Sequence, residues 1–513
     1  MRRMPDDTDA QYRLPRTAIP SAYRLRLEPD LEALRFEGDV AIDVDVEAGT
    51  DEILVNALDL EIDGAAAVLA DGTTREATVT LDAEHERARL AFAEPLDGAV
   101  ELRCSFRGTL NDLLVGFYRS TFTDEAGEDH TIATTQFATT DARRAFPCFD
   151  EPDFKATFAV TLIVPSHLAA YSNSPVVSER ALGDGRREVS FAPTMKMSSY
   201  LVAVAIGPFE SGPTIDVDGV PLTVVCPQGK VHLTDFALEV GAFALRFYAD
   251  YFGIPYPGDK LDLVAIPDFA YGAMENLGCV TFRETALLVD PATASKADLE
   301  VVAMIVAHEL AHMWFGDLVT MQWWEGIWLN EAFATFLQYV CIDAFRPKWK
   351  MWVRFGAELE LGLTIDALHS TRPIEYPVDS PADAMAMIDV ITYKKGGSVL
   401  RMLEQYLGAD VYRDGIRRYL HDHAYANTVT SDLWDALEAE SGKPVGEIMN
   451  TWVLQGGHPV VSSSHGSLSQ APFQFGPPEG DSKIGSSWGS RSTRCTRRDQ
   501  SSTPWTPPPT RWR

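Results

Sequence analysis

The chain has 513 residues, enough for about three domains, and its 46 % hydrophobic and 10 % aromatic content excludes disorder of the whole. Lys and Arg number 44 against 74 Asp and Glu, a net charge of -30 that argues against a nucleic-acid or anionic-membrane partner. No run of about 18 apolar residues occurs, and the opening MRRMPDDTDAQYRLPRTAIP has no apolar stretch of the kind a secretory signal needs.

Six cysteines (Cys104, Cys148, Cys226, Cys279, Cys341 and Cys495) are scattered without a CxxC pair. With no signal in front of them they read as incidental thiols in a reducing cytoplasm. The oligomeric state is open, with a monomer as the default.

The first two hundred residues read as antiparallel β. Val40, Ile42, Val44 and Val46 alternate with small and acidic residues, as do Ala88, Leu90 and Phe92, and then Val100, Leu102, Cys104 and Phe106. Asp71-Gly72 and Asp97-Gly98 are read as turns between these runs, and a boundary is expected near Gly207-Pro208. From about residue 235 the period turns helical. Leu299, Val302, Val306, Leu310 and Met313 mark one apolar helix face, with Ser295 and Asp298 as a capping box and Gly316 as a stop. A second helix is expected from Asn330, as N-cap, to before Pro347, and further helical patterns run through 400–407 and 433–452. After Trp488 the chain carries six Arg against one Asp, with no periodicity. This tail reads as disordered, either a basic arm or the product of a shifted reading frame.

His308-Glu309-Leu310-Ala311-His312 is an HExxH sequence on the first of those helices. Histidines four apart lie one turn above each other, so both imidazoles can reach one ion. Glu309 lies about 100° round the helix, able to touch a metal-bound water rather than the metal. Catalytic zinc needs a third protein ligand and an open fourth position, and Glu331, at the start of the next helix, is the candidate.

On these residues the chain resembles the aminopeptidase N family of zinc metallopeptidases, the gluzincins. His312 to Glu331 has the family's eighteen-residue gap, and Gly272-Ala273-Met274-Glu275-Asn276 stands as its GAMEN string. Tyr393-Lys394-Lys395-Gly396 matches its Tyr-x-Lys-Gly segment. The likeness covers about residues 13 to 488. It implies a multidomain α+β chain: a disordered stretch over 1–12, a saddle-like antiparallel β domain over 13–207 and a thermolysin-like α/β catalytic domain over 208–456. The truncated start of a β-sandwich would then occupy 457–488, ahead of the disordered tail over 489–513. Relatives usually continue into a full sandwich and a helical domain that covers the active site.

The resemblance also implies one Zn2+ per chain on His308, His312 and Glu331, and peptide substrates with a free N-terminus. Glu309 would be the general base, and Tyr393 would donate to the oxyanion. Glu275 would hold the substrate ammonium, while Gly272, Ala273, Met274 and Asn276 align the peptide. Tyr271 and Phe137 would shape the pocket for the first side chain. One departure concerns the second amine contact, a Gln-x-Glu or Gln-x-Gln segment in the family. Here it reads Gln136-Phe137-Ala138, so Gln136 still lines the pocket but the second polar group is lost. Two rival readings are an epoxide hydrolase of the same family, disfavoured by Ala273 where that branch has Gly, and a zinc-stabilised binding protein without turnover. Retention of Glu309 and Tyr393 argues against the second.

Overall fold

The structure is a computed structural model that describes residues 12–465 and 467–476. Residues 1–11 of the expected disordered N-terminus, the basic tail, Cys495 and the end of the sandwich segment lie outside the described residues.

The N-terminal half is built on an eight-stranded sheet. Its strands run in the order Val176–Ala181, Arg186–Phe191, Thr157–Pro165, Ala18–Asp30, Arg35–Asn56, Arg87–Thr109, Glu61–Leu69, Thr74–Asp82. Val40, Ile42, Val44 and Val46 are buried while Asp39 and Glu47 on the other face are exposed, the alternation of a sheet with one wet side. Two features depart from the sequence reading. Ala18–Asp30 pairs in parallel with Thr157–Pro165, so the sheet is mixed. Arg87–Thr109 is one 23-residue strand, and Asp97-Gly98 lies inside it where the register against Arg35–Asn56 slips. Gly98, at φ +68°, takes up an irregularity that its Cβ-less backbone tolerates. Asp71-Gly72 is a turn, as read.

A four-stranded sheet (Gly116–Thr123, Asp129–Gln136, Val204–Gly207, Ala169–Ser172) leads towards the second half, and Gln136 ends one of its strands. The halves are tied by buried polar contacts. Tyr118 donates to the Asp268 carbonyl at 3.0 Å, and Lys155 Nζ donates to the carbonyls of Asp317 and Leu318 at 3.1 Å each.

The second half opens with a mixed sheet, in the order Phe209–Ser211, Val220–Pro227, Leu261–Ile266, Cys279–Arg283, Ala273–Met274, with Ile215–Val217 on Val220–Pro227 and the central pairings parallel. Leu261–Ile266 is buried throughout, as a strand covered on both faces must be. The helix Asp235–Phe252, the helix Lys296–His312 and the helix Ile327–Phe345 pack against one another beside it. The pattern through 433–452 is two helices, Thr430–Ser441 and Val445–Val453, because Gly442 turns left-handed (φ +64°) and Pro444 follows. The hairpin of His458–Ser464 with Ser467–Phe473 closes the described chain. Among the described residues no helix is long and apolar enough to cross a membrane, and the five cysteines are free and buried.

Candidate metal centre and active-site cavity

The HExxH helix begins where the sequence places it. Ser295 Oγ accepts from Asp298 N at 3.2 Å and Asp298 Oδ2 accepts from Ser295 N at 3.0 Å. Its last turn is enclosed on nearly every side, so Glu309, Leu310, Ala311 and His312 are all buried. The chain then reverses through Gly316, at φ +138°, a region that favours glycine, and enters the helix Ile327–Phe345 by way of a 3-10 turn, Trp324–Gly326. That helix is capped at Gly326, four residues earlier than the sequence suggests. Asn330 is therefore inside it rather than its cap, donating to the Tyr200 hydroxyl at 3.3 Å and to Met321 Sδ at 3.1 Å. Glu331 sits in the second turn and points back under the histidines.

His308 Nε2 lies 3.2 Å from Glu331 Oε2 and 3.2 Å from His312 Nε2, and His312 Nε2 lies 3.4 Å from Glu331 Oε2. The other ring nitrogens are held in place. His308 Nδ1 is 3.1 Å from Gln338 Oε1, and His312 Nδ1 is 2.9 Å from the Phe315 carbonyl. Both partners only accept, so each Nδ1 carries a proton and each Nε2 is directed inward. Against the downward effect of burial, Glu275 and Glu331 raise His312 well above the usual imidazole value, so this point of convergence favours positive charge. The donor set, two imidazoles and one carboxylate, suits zinc.

The surrounding charge leads to the same fit. Glu275, Glu309, Glu331 and Asp317 are all under 10 % exposed. Burial pushes the Glu309 carboxyl well above its usual range, with Glu275 and Glu331 adding to the rise against the pull of His312. Burial likewise raises Glu275. At Glu331 burial acts upward too, but the two imidazoles outweigh it and hold the carboxyl far below the ordinary range. His308 is lowered, by burial first. Burial thus holds Glu309 and Glu275 towards their neutral forms, and the field of a dication at the histidines would draw Glu309 back towards ionisation. A second grouping, Glu275, Glu309 and His312, also converges within 4.8 Å. The first is the better ion site, because both of its imidazoles are pre-oriented by Nδ1 hydrogen bonds.

His308, Glu309 and Glu331 open onto a cavity of about 430 Å³ that Gln136, Tyr271, Gly272, Ala273, Met274, Glu275 and Tyr393 also line. Tyr393 lies beside His308 with rings nearly parallel and centroids 5.9 Å apart. Burial raises its phenol well above the normal value, and Glu331 and Glu275 push it further. Ala273–Met274 is the edge strand of its sheet, so an extended peptide can pair with its free side. Gln136 Oε1 is buried and has no protein partner, while Gln136 Nε2 donates to Met274 Sδ at 3.4 Å.

Two residues stand elsewhere than the sequence suggests. Asn276 is not part of the lining; its amide donates to the Cys279 carbonyl (3.3 Å) and Thr281 Oγ1 (3.1 Å) and so fixes the turn after Glu275. Phe137 is buried against Phe146 and does not reach the cavity. The sequence reading missed Gln338, Tyr200 and Asp317. Gln338 lies seven residues after Glu331, two helical turns along the same face, and that spacing could have revealed it. Asp317 is fully buried with neither carboxylate oxygen hydrogen-bonded.

A β-rich half is joined to a helical half whose HExxH helix and next helix bring together a His-His-Glu group that could hold a metal ion. Residues 19–201 match the Peptidase M1 N-terminal domain and residues 236–452 match the Peptidase family M1 domain. The chain is 46 % identical over 463 residues to Aminopeptidase M1 of Arabidopsis thaliana, covering 89 % of this chain and 52 % of the relative. It is 44 % identical over 459 residues to the puromycin-sensitive aminopeptidase of Caenorhabditis elegans (88 % and 48 % covered). With the alanine/arginine aminopeptidase of Saccharomyces cerevisiae it shares 41 % over 456 residues (88 % and 53 % covered). The chain belongs to peptidase family M1, and it spans about half the length of the curated relatives it matches.

Proposed function

We propose that the chain is a zinc-dependent aminopeptidase that removes the N-terminal residue of peptides, with one Zn2+ on His308, His312 and Glu331. The observation that carries this reading is the convergence of those three side chains beside a cavity that His308 and Glu331 line together with Glu309, Tyr393 and Glu275. Bound zinc would supply Lewis acidity, lowering the pKa of water and polarising the scissile carbonyl.

The protein's own groups do the rest. Glu309 takes the proton of the attacking water and delivers it to the leaving amine. The Tyr393 hydroxyl, kept protonated by its surroundings, donates to the oxygen on which negative charge develops. Glu275 and the unpartnered Gln136 Oε1 accept from the substrate ammonium, which fixes cleavage one residue from the chain end. The edge strand Ala273–Met274 aligns the peptide backbone, and Tyr271 bounds the first side-chain pocket. The free buried thiols fit a reducing, cytoplasmic setting.

The test is hydrolysis of Leu- and Ala-aminomethylcoumarin by the zinc-loaded protein, with and without a chelator. Turnover that chelation abolishes and zinc restores is expected. Zinc-loaded protein without turnover would leave a metal-stabilised binding protein.

A further inference from the structure

Tyr393 lies in a π-helical turn, Ile391–Lys395, a wide turn that tends to occur at functional sites. Asp366, at the end of the helix Met351–Asp366, and the short loop that follows it to Arg372 grip that turn at both ends. At one end Lys395 Nζ, buried, donates to Asp366 Oδ1 at 3.1 Å and lies 3.0 Å from Oδ2. At the other, Arg372 Nη2 donates to Asp389 Oδ1 at 2.6 Å and to Thr392 Oγ1 at 2.9 Å. Asp389 Oδ1 in turn accepts from the backbone N–H of Ile391 (2.8 Å) and Thr392 (3.1 Å).

None of Lys395, Asp366, Arg372 and Asp389 lines the cavity. A buried ion pair such as Lys395–Asp366 is a poor source of net stability, since desolvation offsets the attraction. What the two pairs do is fix the backbone on either side of one side chain. The loop is braced in turn by the chain before the C-terminal hairpin. Gly457 N donates to Asp366 Oδ1 at 2.9 Å and Lys395 Nζ donates to the Gly457 carbonyl at 3.0 Å. A Cβ at Gly456 would meet the Arg372 carbonyl carbon at 3.2 Å, so that seam closes tightly over the loop.

We infer that the Asp366–Arg372 loop is a positioning clamp for the Tyr393 hydroxyl, with Lys395–Asp366 and Arg372–Asp389 as its two jaws. The catalytic consequence rests on the reading of Tyr393 as the oxyanion donor; the mechanical one does not. Removing one member of a buried pair strands a charge, so the test uses the neutral pair Asp366→Asn/Lys395→Met, with Lys395→Arg as the conservative comparison.

Two quantities are measured: kcat and KM on Leu-aminomethylcoumarin in wild-type and Tyr393→Phe backgrounds, and amide hydrogen exchange across 389–396 and 296–312. The neutral pair should lose at least about ten-fold in kcat with KM within about threefold, and lose nothing further in the Tyr393→Phe background. Lys395→Arg should recover part of the loss. Exchange across 389–396 should quicken about ten-fold while 296–312 is unchanged. An equal loss of kcat in the Tyr393→Phe background, or unchanged exchange across 389–396, overturns the clamp. Absence of any wild-type turnover would instead sink the proposed function, and the exchange result would still decide the clamp.

Discussion

His308 and His312 face each other through their Nε2 atoms at 3.2 Å while their Nδ1 atoms are held by Gln338 and by the Phe315 carbonyl. The second of these partners is backbone and cannot be removed by substitution, but the first can. Gln338→Ala should free the His308 ring and weaken zinc binding about 10- to 100-fold. Competition with a graded chelator measures this, and unchanged affinity would show that Gln338 does not orient the ligand.

Glu309 is buried next to His312 and Glu275. Glu309→Gln keeps the shape but removes the base, so kcat should fall about 10²- to 10⁴-fold with zinc content unchanged. Loss of zinc in parallel with activity would mean that Glu309 holds the ion instead.

Ala138 lines the cavity together with Gln136 and Glu275. A carboxylate added there should gain a charge-assisted contact with the substrate ammonium, about 1.5–3 kcal/mol or roughly 10- to 150-fold. Ala138→Glu is therefore expected to raise kcat/KM on aminoacyl substrates, mostly through KM. No change would place position 138 away from the amine.

Burial pushes the Asp141 carboxyl up to about 6, against the pull of Arg144, which donates to it at 2.7 Å. Its folded pKa thus lies above the unfolded value of about 3.9. The group's favourable contribution is complete below about pH 4 and is lost as pH rises through about 6, on the order of 2–3 kcal/mol at most. Asp141→Asn should accordingly raise the thermal midpoint at about pH 7.5 relative to wild type and much less at about pH 4. Equal shifts at both pH values would contradict the assignment.

The parts of the site that follow local rules were legible in the sequence. A capping box, a histidine pair at helical spacing and alternating apolar strands each depend on residues a few positions apart, and Ser295/Asp298, His308/His312 and Val40–Val46 stand as read. What depends on chain reversal was not. The start of the helix carrying Glu331 was misplaced because Ile327, Trp328 and Leu329 are helical but have no polar cap before them; Gly326 leads in from a 3-10 turn. Asn276 belongs to the string proposed to meet substrate, yet its own amide closes a turn, a distinction only the partners Cys279 and Thr281 reveal. Tyr200 comes from the N-terminal half, more than a hundred residues from Gly316 and Asn330, and no sequence spacing links them.

The central claim is that His308, His312 and Glu331 together grip one zinc ion. X-ray absorption at the zinc edge on purified protein tests it most directly. The account predicts one zinc per chain with two imidazole nitrogens at about 2.0–2.1 Å and carboxylate oxygen at about 2.0–2.2 Å, the imidazole signal falling when His312 is replaced by Ala. A sulfur shell at about 2.3 Å, or a spectrum without imidazole scattering, would contradict it.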